Sequence, residues 1–202
     1  MKSEIFKKKL EKEDYAFLAI ATISFLLLLF KIYPEYGCNT HTNLLALLLL
    51  VIFPPLVFLA YKDFKTFEVD NYTSLILLII FSLLNILLFL LKGDSFAISL
   101  TSNWQYLPYQ NLLGGIVLGL FFQLLVIVTK ERGLGQGDVR IAILCGLLLG
   151  FNNLLLWTYI TVFTAVAYGL FLSTKRKKFK GTKVPFVPFM VLGIIGTALY
   201  LL

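Results

Sequence analysis

SLILLIIFSLLNILLFLL, residues 74–91, is one unbroken apolar segment with no charged side chain and a single amide, Asn85. A helix that crosses a bilayer needs roughly 20 such residues, with a workable range of about 17–25. Working outward, six more apolar runs appear: residues 15–33, 44–61, 111–129, 139–151, 154–173 and 185–202. The run 139–151 is short for a crossing, so it must be sheltered by its neighbours or extend past Asn152. The whole chain is 59% hydrophobic and 14% charged, whereas soluble domains carry about 45–50% and about 25%. The expectation is an all-α polytopic transmembrane bundle of about seven helices. Residues 1–13 form a charged cytoplasmic N-terminal segment, and residues 14–202 form a single membrane-embedded domain without internal repeats. The first run lacks a small-residue cleavage site, so it reads as a retained helix rather than a signal peptide. Asn85 is expected to hydrogen-bond to a neighbouring helix.

Orientation follows from the basic residues, which collect on the cytoplasmic side of membrane proteins. With the N-terminus inside and seven crossings, Lys2, Lys7, Lys8, Lys9, Lys12, Lys62, Lys65, Lys130, Arg132, Arg140, Lys175, Arg176, Lys177, Lys178, Lys180 and Lys183 all fall inside. Only Lys31 and Lys92 fall outside, so 16 of 18 obey the rule. Topology therefore accounts for the net charge of +7 without a nucleic-acid partner, and lipids are the expected surroundings. The outer loops, residues 34–43 and 93–110, are nearly free of Lys and Arg. They carry Trp104, Tyr106 and Tyr109, which suit a membrane interface. Cys38 and Cys145 lie in a loop and an apolar run and suggest no disulfide framework. His41 is the single histidine, and no metal site is expected.

An acid beside a spanning helix calls for an explanation. Asp14 and Asp94 sit in polar stretches and read as solvated. Asp63, Asp70 and Asp138 all fall on the cytoplasmic side. Asp138 ends GLGQGD (residues 133–138) before the short fifth run; by itself it reads equally well as a helix N-cap. Asp63 follows the second run in KDFKTFEVDNY (residues 62–72), where a solvated loop acid is the plain alternative. Asp70 reads as the cap of the third helix. Glu68 and Glu131 read as solvated loop charges.

Together the two segments resemble the type IV prepilin and preflagellin peptidases, the GxGD membrane aspartyl proteases. DFKTFEVDN is similar to their first aspartate motif, with Asp63, Lys65, Val69 and Asn71 at matching positions. GLGQGDVRIA is similar to the second, with Gly135, Gly137 and Asp138 forming GxGD and Arg140 where lysine is usual. VPFVPFMVLG (residues 184–193) resembles the stretch that opens the family's last helix, through Pro185, Phe186 and Pro188. Val187 stands there in place of a glycine, which the resemblance implies narrows the site. The cytoplasmic domain with paired cysteines found in bifunctional members has no counterpart between the first two runs.

The resemblance implies an aspartic-type endopeptidase with Asp63 and Asp138 as the catalytic pair and no cofactor. Its substrates would be type IV prepilin-like or preflagellin-like precursors, each with a short basic leader before an apolar helix. Cleavage would take place at the cytoplasmic face of the cell membrane, without N-methylation of the product. Helix ends suggest a division of labour: Asp138 at a helix N-terminus ionised, Asp63 at a C-terminus carrying the proton. Two rival readings are a non-enzymatic transporter or assembly scaffold and a GxGD protease acting on other membrane helices. In the latter a Tyr-Asp pair is typical, and here Lys62 precedes Asp63.

Overall fold

The computed structural model describes residues 40–92, 98–99, 105–130, 134–176 and 184–201. The expected first span at residues 15–33 lies outside the described residues. So do the charged segment 1–13, Asp14, Cys38, Asp94, Trp104, Glu131 and residues 177–183, together with the side chain of His41. Six α-helices account for most of the described chain: α1 (Thr40–Thr66), α2 (Asn71–Lys92), α3 (Pro108–Thr129), α4 (Gln136–Leu149), α5 (Leu154–Arg176) and α6 (Val187–Leu201). A short antiparallel pair, β1 (Ile98–Ser99) and β2 (Gln105–Tyr106), lies between α2 and α3. The fold is an all-α polytopic bundle.

The apolar segment 74–91 lies within α2, whose charge-free length leaves the backbone no better partner than itself. Asn71–Leu90, Pro108–Thr129 and Phe151–Thr174 are each long and apolar enough to cross a membrane. Their outer faces are apolar as well: Ile80, Leu83 and Leu90 on α2, Leu120 and Ile127 on α3, and Tyr159 and Phe163 on α5 are exposed. Such faces suit lipid chains.

The short fifth run takes the sheltered course. α4 packs against α3, α2 and α6, and Ile141, Ala142 and Cys145 have no exposed surface. It begins at Gln136, earlier than the apolar pattern indicates, and ends at Gly150, where φ is 75° before the 3-10 turn Phe151–Asn153. The contact with α3 runs backbone on backbone. A Cβ on Gly146 would lie 2.4 Å from the carbonyl oxygen of Gly114, and Gly115 and Gly119 face Leu147 and Ile143. The small residues of α3 therefore serve a contact within the chain.

Beside the start of α3, Asn85 is fully buried and donates to the Phe81 carbonyl oxygen of its own helix at 2.9 Å. Its outside partner is the Tyr106 hydroxyl, which donates to Asn85 Oδ1 at 2.9 Å. That partner belongs to the β-hairpin and not to a helix, and Tyr106 is buried rather than interfacial. An amide in an apolar segment must be satisfied, and a tyrosine folded back from the loop reaches it.

Candidate active site

Asp63 lies one turn before the end of α1, past the apolar run 44–61. The helix closes at Phe67, whose φ of 54° is left-handed and whose N–H donates to the Asp63 carbonyl oxygen at 2.8 Å. This single-bond left-handed closure is a common way to end a helix. It leaves the Asp63 side chain pointing into the bundle, only 5% exposed. There its Oδ2 accepts the N–H of Val187, the first residue of α6, at 3.0 Å.

Asp138 occupies the first turn of α4, just before Val139. Its Oδ2 reaches back to accept the N–H of Gly135 at 2.9 Å, while its own N–H donates to the Gly135 carbonyl oxygen at 3.1 Å. The helix therefore begins two residues before Asp138, and the carboxylate is a first-turn acid rather than the cap itself. Burial and the charge of Asp63 push Asp138 up to about 6, against the opposing hydrogen bond from Gly135. Burial likewise raises Asp63, opposed by the N–H groups of Val187 and Phe186. A carboxylate whose proton affinity is raised by the charge of another shares a site with it.

The loop between α1 and α2 holds the two motifs together. Asp70 caps α2, accepting the Thr73 N–H at 3.0 Å and the Thr73 hydroxyl at 2.7 Å. Lys62 pairs with its other oxygen. The hydrogen bond from Lys62, together with Thr73, holds the Asp70 carboxyl below the usual carboxylate range. Asp70 is thus committed to helix capping. Next along the loop, Val69 sits directly on Gly137: a Cβ there would lie 2.6 Å from Val69 Cβ. The Arg140 guanidinium donates to Asn71 Oδ1 at 3.1 Å. Gly135, by contrast, has among the described residues only Asp138 Oδ2 and the Gly137 nitrogen within 4 Å of an added Cβ. The structure gives a steric reason for one glycine of GxGD and none for the other.

The other sequence-selected residues are placed as follows. Pro185 and Pro188 are buried around the start of α6, which begins at Val187 and not at Pro185. The Phe186 ring lies 6.0 Å from that of Phe122 on α3. Lys65 places its ammonium 5.4 Å from the centre of the Tyr61 ring, near the end of α1. Val187 has no exposed surface, so its side chain packs in the core. Sequence reasoning missed that its N–H binds Asp63 and that Val69 occupies the space above Gly137. Asp63 does lie in the last turn of α1, as expected of a proton carrier at a helix C-terminus, but its carboxylate faces the beginning of another helix, which acts in the opposite direction.

The arrangement brings Asp63 and Asp138 to one place from helices far apart in sequence, each with a backbone donor. Such a pair can take a proton from water while supplying one to a carbonyl. Searches among curated proteins and solved structures find no match. The profile of the type IV leader peptidase family matches residues 48–170, more than half of the chain and inclusive of both aspartates. With its ordered motifs folded around one site, this chain belongs to the type IV leader peptidase family.

Proposed function

We propose that the protein is a membrane aspartyl endopeptidase that removes the leader from type IV prepilin-like precursors. The observation that carries this reading is that Asp63 and Asp138 each accept a backbone N–H, and that the charge of Asp63 acts on Asp138. The Asp63 charge makes ionising Asp138 harder, so the pair holds one proton below about pH 6. The ionised member takes a proton from water, whose oxygen attacks the scissile carbonyl. The protonated member gives its proton to the carbonyl oxygen. When the tetrahedral intermediate collapses, the C–N bond breaks and the first proton passes to the leaving amine. The second returns to its carboxylate as the new carboxyl forms. No metal or cofactor enters this cycle.

The basic-residue distribution supports a site facing the cytoplasm of the cell membrane, where a short basic leader ahead of an apolar helix would be presented. The segment between the first two apolar runs is ten residues long, 34–43, too short for a zinc-bearing or methyl-donor domain. The product is therefore left unmethylated. Co-expression with a prepilin-like precursor tests the reading. The wild type should shorten the precursor by its leader, and Asp63→Asn and Asp138→Asn should each lower cleavage by about a thousandfold. Retained cleavage in either variant would remove the carboxylate pair, and an intact precursor N-terminus with the wild type would remove the activity.

A further inference from the structure

The start of α6 accounts for its own donors in an unusual way. A helix leaves the N–H groups of its first turn without intrahelical partners. Here Val187 is first, Pro188 is second and has no N–H, and the N–H of Phe189 turns back to the Phe186 carbonyl oxygen at 3.1 Å. Met190 donates to the same oxygen at 3.2 Å. The amide of Val187 is left, and it goes to Asp63 Oδ2 at 3.0 Å in a buried setting. A hydrogen bond from an amide to a carboxylate favours the charged form, and a helix N-terminus adds to it.

Resting on the carboxylate-pair reading, we propose that Val187 is a positioning residue. Its backbone N–H, presented by α6, fixes Asp63 as the ionised, water-activating member of the pair. Asp138, whose carboxyl has the Gly135 N–H where Asp63 has those of Val187 and Phe186, then carries the shared proton below about pH 6 and protonates the scissile carbonyl. The surrounding charges agree with this division. Lys62 is engaged by Asp70, Lys65 lies over Tyr61, Arg140 is turned to Asn71, and Val184–Phe189 contains no ionisable side chain. On α4, Asp138 is the acid whose charge acts together with that of Asp63. The Asp63 anion is held by the backbone amides of Val187 and Phe186.

The decisive variant deletes one atom group. Replacing the residue 187 amide by an ester, with the α-hydroxy analogue of valine introduced at that position, removes the N–H and keeps the side chain. The Asp63 carboxyl band, assigned by its loss in Asp63→Asn, is titrated by infrared spectroscopy in purified full-length protein. The ester should raise the Asp63 midpoint by about one pH unit, a tenfold change in the protonation equilibrium. Val187→Ala retains the amide and should leave the midpoint in place, whatever it does to the rate through packing. Val187→Pro removes the donor at a position where proline is tolerated, and should reproduce the ester's shift. With a prepilin-like precursor as substrate, the acidic limb of the pH–rate profile should move by the same amount. An unchanged midpoint in both the ester and the proline protein overturns the inference. If Asp63→Asn still cleaves, the carboxylate-pair reading fails instead, and the infrared shift stands or falls separately.

Discussion

Gly137 and Gly135 differ in what surrounds them, and the difference is measurable. Gly137→Ala drives a methyl into Val69, an overpacking that costs about 1–3 kcal/mol and displaces the turn bearing Asp138. Gly135→Ala meets no protein atom closer than 3.8 Å and should cost less than about 1 kcal/mol. Thermal unfolding in detergent together with cleavage of a precursor should separate the two, with Val69→Ala restoring activity to Gly137→Ala. Asp138 yields a prediction with a definite sign. Its folded value of about 6 exceeds the ordinary 3.8, so its contribution to stability is full below about pH 4 and is lost as pH rises through about 6. Asp138→Asn should therefore stabilise the protein above pH 7 by an amount on the order of 1–3 kcal/mol, read as a higher unfolding temperature, and bring no gain at pH 4. Equal gains at both pH values would exclude a buried, ionising Asp138. At this scale the sequence shows which aspartates matter only through their motif context. Neither the Val187 amide nor the Val69 contact carries a side-chain signature, because one is backbone and the other an ordinary apolar residue.

Elements were more legible than residues. Apolar runs placed every described helix because hydrocarbon forces the backbone to satisfy itself. Their ends were less accurate where polar residues join a helix: α4 takes in Gln136–Asp138, and α1 continues past Asp63 to Thr66. Local hydrogen bonds set those ends, through the Phe67 closure and the Asp138–Gly135 bond, and neither alters hydropathy. The expectation that Asp70 is a cap was correct because capping is a local signal. Asp70→Ala should cost about 1 kcal/mol through the start of α2. It should lower cleavage far less than Asp63→Asn does, and a loss as large would give Asp70 a part in the chemistry. The contact between α3 and α4 is stricter. Gly146→Ala places Cβ 2.4 Å from a backbone oxygen that has no flexible end to swing aside. A loss of about 3 kcal/mol is expected, read as reduced yield of folded protein and a lower unfolding temperature.

For the whole molecule, the distribution of basic residues leads to an orientation that is open to direct labelling. Glu68 is exposed in the loop that joins the two motifs. In a Cys38→Ser background, Glu68→Cys should react with a membrane-impermeant maleimide in inverted vesicles and stay unmodified in right-side-out ones. Cys145, with no exposed surface, should remain unlabelled in both. Labelling from the outer side would reverse the orientation and place the site away from the cytoplasm. The bundle's class was legible from composition alone. The way α1, α4 and α6 meet at two carboxylates was not, since that depends on pairings between residues distant in sequence.

The seat of Val69 on Gly137 has a consequence for inheritance. A side chain can grow at position 137 only if position 69 shrinks, so the two sites mutate as one unit. Among relatives that keep this geometry, a residue larger than glycine at 137 should be accompanied by a smaller one at 69. Recombination that separates the first motif from the second should yield inactive hybrids, even when both parents are active.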